Sequence, residues 1–252
     1  MLHNHIDIFG ITIYFYGLMI FIGIVVAYIV AINRAERKGV SFWHFLILCA
    51  VVITGMALGS RVLHFITMLP ELNADFTVPK FLNLILNGGF VFYGGLFGVL
   101  IALKIYAKRS KYDEKIIFPI IIPAIPLFHS FGRIGCLFAG CCYGKLLESP
   151  IILFNGVYID RIPTQASEAV FELIIFFLLF EIEKKRHDCD LLKIYLLAYA
   201  VFRFVLEFFR GDEIRGIFLL STSQWISAAI IMYYLIKGRR NRWKNSRYMA
   251  KR

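Results

Sequence analysis

The chain has 252 residues, 59% of them hydrophobic and 16% aromatic, with a mean hydropathy of +0.70. Only 18% are charged, yet the formal net charge is +11. That combination excludes an ordinary soluble domain and a disordered chain, and directs attention to the bilayer. Each hydrocarbon crossing needs about 20 mostly apolar residues. Seven runs qualify in chain order: 11–32, 44–69, 89–107, 116–132, 167–183, 190–209 and 217–237. The first and last are the cleanest, whereas glycines interrupt the third and charges close the sixth. The expected fold is an all-α polytopic membrane protein with about seven transmembrane helices.

Basic residues follow the first run (Arg34, Arg37, Lys38), the third (Lys104, Lys108, Arg109, Lys111, Lys115), the fifth (Lys184, Lys185, Arg186) and the seventh, from Lys237 to Arg252. The intervening loops are acidic or mixed, as at Glu71, Asp75 and Lys80. The positive-inside rule then predicts the N-terminus outside and the C-terminus in the cytoplasm, consistent with an odd number of crossings. Basic residues at those positions meet lipid headgroups, so no nucleic-acid partner is expected. Met1–Gly10 has no basic leader region, and the first run is expected to stay as a span. The longest polar excursion, 133–166, is expected outside. With no repeat and no large hydrophilic block, residues 1–252 read as a single membrane domain.

Ionisable residues inside or at the mouth of apolar spans are the informative ones, since each costs several kcal/mol unless paired or hydrated. In chain order the first is Arg61, near the outer end of the second run, with snorkelling to the interface as the alternative to binding. Next comes Gly88-Gly89-Phe90-Val91-Phe92-Tyr93-Gly94-Gly95, followed by Gly98, where small residues let helices or a headgroup approach the backbone. The densest is His129-Ser130-Phe131-Gly132-Arg133-Ile134-Gly135-Cys136, continuing through Gly140-Cys141-Cys142-Tyr143-Gly144-Lys145. There a glycine-flanked guanidinium can read a phosphodiester bidentately. Thr164, Gln165 and Glu168 add a smaller polar group at the entry to the fifth run. In the sixth, Arg203 and Glu207 stand four apart and are expected to pair on one helical face, with Arg210 on the same stripe. P-loop, HExxH and GxSxG signatures are absent. A transporter is not supported either, for want of an inverted repeat.

In order, Tyr16-Gly17-Leu18-Met19, Gly59-Ser60-Arg61, the 88–95 glycine stretch, Gly132-Arg133-Ile134-Gly135 through Tyr143-Gly144, Pro163-Thr164-Gln165 with Glu168-Ala169, and Arg203 through Arg210 resemble six motifs of the prolipoprotein diacylglyceryl transferase family. The resemblance covers nearly the whole chain. It implies transfer of the diacylglyceryl group of phosphatidylglycerol to the lipobox cysteine thiol of preprolipoproteins, the first step of bacterial lipoprotein maturation. Glycerol 1-phosphate leaves, and no cofactor or metal is implied. The partners implied are phosphatidylglycerol, lipobox-bearing signal peptides and membrane lipids. The location implied is the bacterial cytoplasmic membrane, with the active site toward the outer leaflet.

Arg133, Arg203, Glu207 and Tyr93 are the catalytic candidates. Arg133, Tyr16, Arg61, Gly94, Gly95, Cys136, Gly144, Gln165, Glu168 and Arg210 are the substrate-binding candidates. Positive charge at Arg133 and Arg203 suits a phosphate leaving group. Tyr93 stands where the family has histidine, and with an ordinary pKa near 10 it suits positioning better than base catalysis. Cys136 stands where the signature has asparagine, and Cys141 where it has an acidic residue. The three signature cysteines read first as small hydrophobes, with a metal site or a disulfide as alternatives. Cys49 and Cys189 read as incidental. The alternative to transfer is a paralogue that binds lipid or does thiol redox chemistry.

Overall fold

Backbone groups that water cannot reach must be satisfied within their own segment, and apolar runs of this length do so by coiling. The computed structural model describes residues 4–8, 11–74, 77–79, 81, 83, 91–152, 158–186, 189–211, 216–217 and 220–249. Its helices are α1 Phe15–Arg37, α2 Phe42–Ala74, α3 Phe92–Arg109, α4 Glu114–Ile121, α5 Ala124–Ala139, α6 Thr164–Lys185, α7 Leu191–Leu206 and α8 Thr222–Met249. Gly88, Gly89 and Phe90 of the glycine stretch lie outside the described residues, as do Asp75 and Lys80. The same holds for the side chains of Glu71 and of the basic tail beyond Arg239.

The fold is mostly helical but not wholly so. Among the described residues there are three antiparallel hairpins: β1 His5–Ile8 with β2 Ile11–Tyr14, β3 Leu146–Ile152 with β4 Tyr158–Arg161, and β5 Gly216–Ile217 with β6 Leu220–Ser221. Among the described residues, three segments are long and apolar enough to cross a membrane: Phe15–Arg37, Phe42–Leu69 and Glu114–Ala139. Their mean hydropathies are 2.6, 2.1 and 1.5. Phe21, Ile53, Leu58 and Val62 point outward and are each about 60% exposed. An apolar surface of that kind in water would be an aggregation site; against lipid it is the ordinary exterior.

The last of these segments is interrupted between α4 and α5. Pro123 has no N–H to donate to the carbonyl four residues earlier, which is that of Pro119. Arg34, in the last turn of α1, donates its Nε–H to that carbonyl at 2.7 Å. One of the basic residues that marked the topology therefore also caps a broken helix.

The chain divides into two compact units, residues 32–120 and residues 1–31 with 121–252. In the first, α2 packs on α3 through glycines at four-residue spacing, Gly55 and Gly59 facing Gly94 and Gly98. A Cβ built on Gly55 would stand 2.7 Å from the Gly98 carbonyl oxygen. One on Gly94 would meet the Gly59 carbonyl, and one on Gly95 the Ser60 hydroxyl. The backbones touch because nothing stands between them. In the second unit α5 packs on α6 and α6 on α7. Buried Ser130 donates to the Ala169 carbonyl at 2.9 Å. Phe171 and Phe202 stack with centroids 3.8 Å apart.

The sixth run ends sooner than expected. α7 stops at Leu206, a 3-10 turn follows over Glu207–Phe209, and Arg210 is extended with φ −70° and ψ 142°. Arg210 is therefore not on the helical stripe of Arg203 and Glu207. The departure has a backbone cause. The Phe209 carbonyl accepts from Lys145 N at 2.9 Å and the Gly211 N–H donates to Tyr143 O at 3.0 Å, so the strand after α7 pairs with the loop after α5.

Candidate active site

Three helices of the second unit each bring a pair of polar residues four positions apart to one place: His129 and Arg133 from α5, Glu168 and Glu172 from α6, Tyr199 and Arg203 from α7. Four-residue spacing puts both members of a pair on one face. Packing of α6 between α5 and α7 turns the three faces toward each other.

Glu168 is the hub. Its carboxylate takes Arg133 Nε at 3.0 Å, Arg203 Nη1 at 3.2 Å and the Tyr199 hydroxyl at 3.0 Å. It is only 1% exposed, and removing a carboxylate from water to this extent requires partners of opposite charge. Arg203 is itself buried and reaches on to Glu207, whose carboxylate lies 2.7 Å from Nη2. The expected pairing across one turn is present, and it is the outer link of a longer chain of charges.

His129 orders the other side. Arg133 Nε donates to His129 Nε2 at 3.2 Å, so that nitrogen carries a lone pair and the proton sits on Nδ1. Nδ1 stands 2.7 Å from Glu172 Oε1 and donates there. Glu172 is fully buried, and its second oxygen has no hydrogen-bond partner among the described residues. The 3.8 Å between His129 Nε2 and Glu168 Oε1 is then a contact of two acceptors bridged through the arginine. Glu172 and Tyr199 were not among the candidate site residues, and His129 was named only as the start of the densest motif. Their signal was in the sequence as repeated four-residue spacing on neighbouring helices.

Above the cluster, α5 ends at Gly140, whose φ of +67° forms a left-handed cap. Cys142 follows at φ 61°, a conformation uncommon for a residue with a Cβ. Helix α6 holds this loop. Gln165 Nε2 donates to the Cys141 carbonyl at 2.7 Å and the Thr164 hydroxyl to the Cys142 carbonyl at 2.9 Å. Gly144 N donates to Ile162 O at 3.0 Å, and a Cβ there would collide with that carbonyl. The five cysteines of the chain are unlinked, and the sulfurs of Cys136, Cys141 and Cys142 converge within 4.8 Å of one another. The neighbouring Cys136 and Cys141 side chains hold the Cys142 thiol below the ordinary cysteine value, and Arg133 and Arg210 pull in the same direction.

The candidates thus fall into two groups. Arg133, Arg203, Glu207, Cys136, Gly144, Gln165, Glu168 and Arg210 all belong to the second unit. So does Tyr16, in the first turn of α1, whose ring lies against Gly135 of α5. Arg61, Tyr93, Gly94 and Gly95 belong to the first unit. There Tyr93 is 3% exposed and stacks on Phe97 at 6.2 Å, while Gly94 and Gly95 face α2.

Comparison with known proteins identifies the family. The family profile described as prolipoprotein diacylglyceryl transferase matches residues 4–237. A phosphatidylglycerol–prolipoprotein diacylglyceryl transferase of Clostridium tetani is 35% identical over 90% of this chain and 92% of its own length. The protein of that name numbered 2 in Clostridium perfringens is 31% identical, over 93% of this chain and 96% of its own length. One from Mannheimia succiniciproducens is also 31% identical, over 88% and 86%. With its arginine–glutamate cluster on the motifs that first suggested the resemblance, the chain belongs to the prolipoprotein diacylglyceryl transferase family.

Proposed function

We propose that this chain transfers the diacylglyceryl group of phosphatidylglycerol to the thiol of a lipobox cysteine in a preprolipoprotein, releasing glycerol 1-phosphate. The observation that carries the reading is the Arg133–Glu168–Arg203 cluster, set in a chain that matches the family over residues 4–237. A thioether forms as the bond from glycerol carbon to phosphate oxygen breaks, and the departing phosphate gains a second negative charge. Preorganised cations at that position lower the barrier because their orientation is fixed before charge develops. Glu168 and His129 hold Arg133 Nε, which fixes the plane of its guanidinium, and its Nη edge supplies the fork that grips a phosphodiester. Arg203 and Glu207 form a gate whose charges rearrange as phosphate enters and leaves. Tyr16, Cys136, Gly144, Gln165, Glu168 and Arg210 surround that anion site. Arg61, Tyr93, Gly94 and Gly95 are assigned to substrate from the family resemblance.

The reading also includes seven crossings of the bacterial cytoplasmic membrane, an outside N-terminus, a cytoplasmic C-terminus and a reaction at the outer leaflet. In it, residues 1–252 work as one domain. Its support is the alternation of basic and acidic loops together with the exposed apolar helix faces. A lipid-binding or thiol-redox paralogue without transfer is not favoured, since the named relatives match over nine-tenths of this chain.

The test is incubation of the purified chain with labelled phosphatidylglycerol and a lipobox peptide, alongside complementation of a transferase-depleted strain. Label moves to the peptide thiol, and Arg133→Ala lowers the rate by roughly 10²–10³-fold. A chain that inserts normally yet moves no label refutes the assignment.

A further inference from the structure

Cys136, Cys141 and Cys142 are not used by the arginine–glutamate cluster, yet the fold gathers them. Cys136 is in the last turn of α5, and the other two lie in the loop that follows. The Cys141 N–H returns to the Cys136 carbonyl at 3.2 Å. Side chains of α6 pin the carbonyls of both loop cysteines, and the strand after α7 pins that of Tyr143. The result is three unlinked thiols whose sulfurs lie within 4.8 Å of one another, on a loop held from two neighbouring elements. Cys141 is exposed and the other two are half-buried, so the group is open to solvent on one side.

We infer that these three thiols form a site for a thiophilic divalent ion of the zinc type, with a fourth position left open. Zinc bound to sulfur at about 2.3 Å holds its ligands about 3.8 Å apart, so closure from the observed spacing needs about 1 Å of movement. Thiolates select soft ions over magnesium or calcium. No imidazole or carboxylate joins the group among the described residues, and a three-ligand set with an exposed side is the arrangement that admits an exogenous fourth ligand. Binding releases three thiol protons to solvent as three sulfur–metal bonds form. The complex carries one net negative charge.

The open position suits the incoming thiol of the proposed reaction, and this second half rests on the transferase reading. A thiol that replaces water at the ion gives up its proton to solvent and is held as thiolate, the nucleophilic form. Its sulfur then bonds to the glycerol carbon while the electron pair of the carbon–oxygen bond departs with the phosphate. That supplies thiol activation in a chain whose third-span motif has Tyr93 where the family has histidine.

The experiment uses the untagged full-length chain in detergent with a phosphine reductant, loaded with zinc(II) or cobalt(II) and passed through a weak chelator. One ion per chain is retained, and Cys141→Ser or Cys136→Ser loses at least nine-tenths of it. The cobalt form shows sulfur-to-cobalt charge transfer that shifts when a lipobox peptide is added, but not when serine replaces the peptide's cysteine. Retention equal in wild type and the triple cysteine-to-serine variant overturns the site, as does a disulfide among these residues that reforms whenever reductant is removed from the metal-loaded chain. A bound cobalt whose spectrum ignores the peptide overturns the open position alone. Metal retained at one per chain with no lipid transfer from phosphatidylglycerol overturns the transferase reading and leaves the ion site standing.

Discussion

Glu168 carries two arginines and a tyrosine on one carboxylate, so its neighbours respond unequally to substitution. Glu168→Gln keeps the shape and removes the charge, leaving two guanidinium groups facing each other in a buried place. Breaking a buried pair from one side costs about 3–5 kcal/mol, so this variant should melt well below wild type in detergent, as read by a thermal unfolding scan. Tyr199→Phe removes one neutral donor, worth about 0.5–1.5 kcal/mol. It should stay folded and keep transfer within about tenfold of wild type. If Tyr199→Phe were the more damaging of the two, Glu168 would not be the hub. At this scale the sequence was partly legible. Arg133, Arg203 and Glu207 stood out as charges in apolar runs, whereas Glu168 was read as a substrate-binding candidate within a smaller polar group at the entry to the fifth run. Glu172 and Tyr199 were missed since their meaning depends on which helix packs beside which, and no single run contains that.

Elements tell a different story, because helix contacts here are set by what is missing. Gly98 of α3 stands so close to the Gly55 carbonyl of α2 that a side chain has no room. Gly98→Val should reduce the amount of folded protein in the membrane at least severalfold, measured by fluorescence-detected size exclusion. Gly17, in α1, has nothing within 4 Å of a built Cβ. Gly17→Ala should therefore leave yield unchanged or raise the melting point slightly, as alanine is favoured over glycine in a helix by about 0.5–1 kcal/mol. Equal damage from both would mean that helix packing is not what the α2 and α3 glycines serve. The sequence exposed these glycines but offered two meanings, helix contact or headgroup approach. For Gly94 and Gly95 the structure shows contact with α2, and headgroup approach remains part of the proposal. Helix existence was legible from apolar length, whereas the hairpins at helix ends and the early stop of α7 depended on backbone pairing between segments about 65 residues apart, for example Lys145 with Phe209.

For the whole molecule, the governing asymmetry is where the lysines and arginines lie. Alternate loops are basic, and α8 continues as helix into a tail that bears eight of them from Lys237 onward. A green fluorescent protein fused to the C-terminus should fluoresce, and alkaline phosphatase fused at the same point should be inactive, since one folds in the cytoplasm and the other requires export. The reverse pair of results would invert the orientation and remove the outer-leaflet reaction.

Cys142 occupies a left-handed backbone conformation that glycine adopts freely, at a cost of order 1–3 kcal/mol. Replacing it with glycine would make the loop sturdier while deleting one of three converging sulfurs. Engineering for robustness and engineering for chemistry therefore pull this single position in opposite directions. A screen that rewards heat tolerance alone would be expected to discard the thiol first.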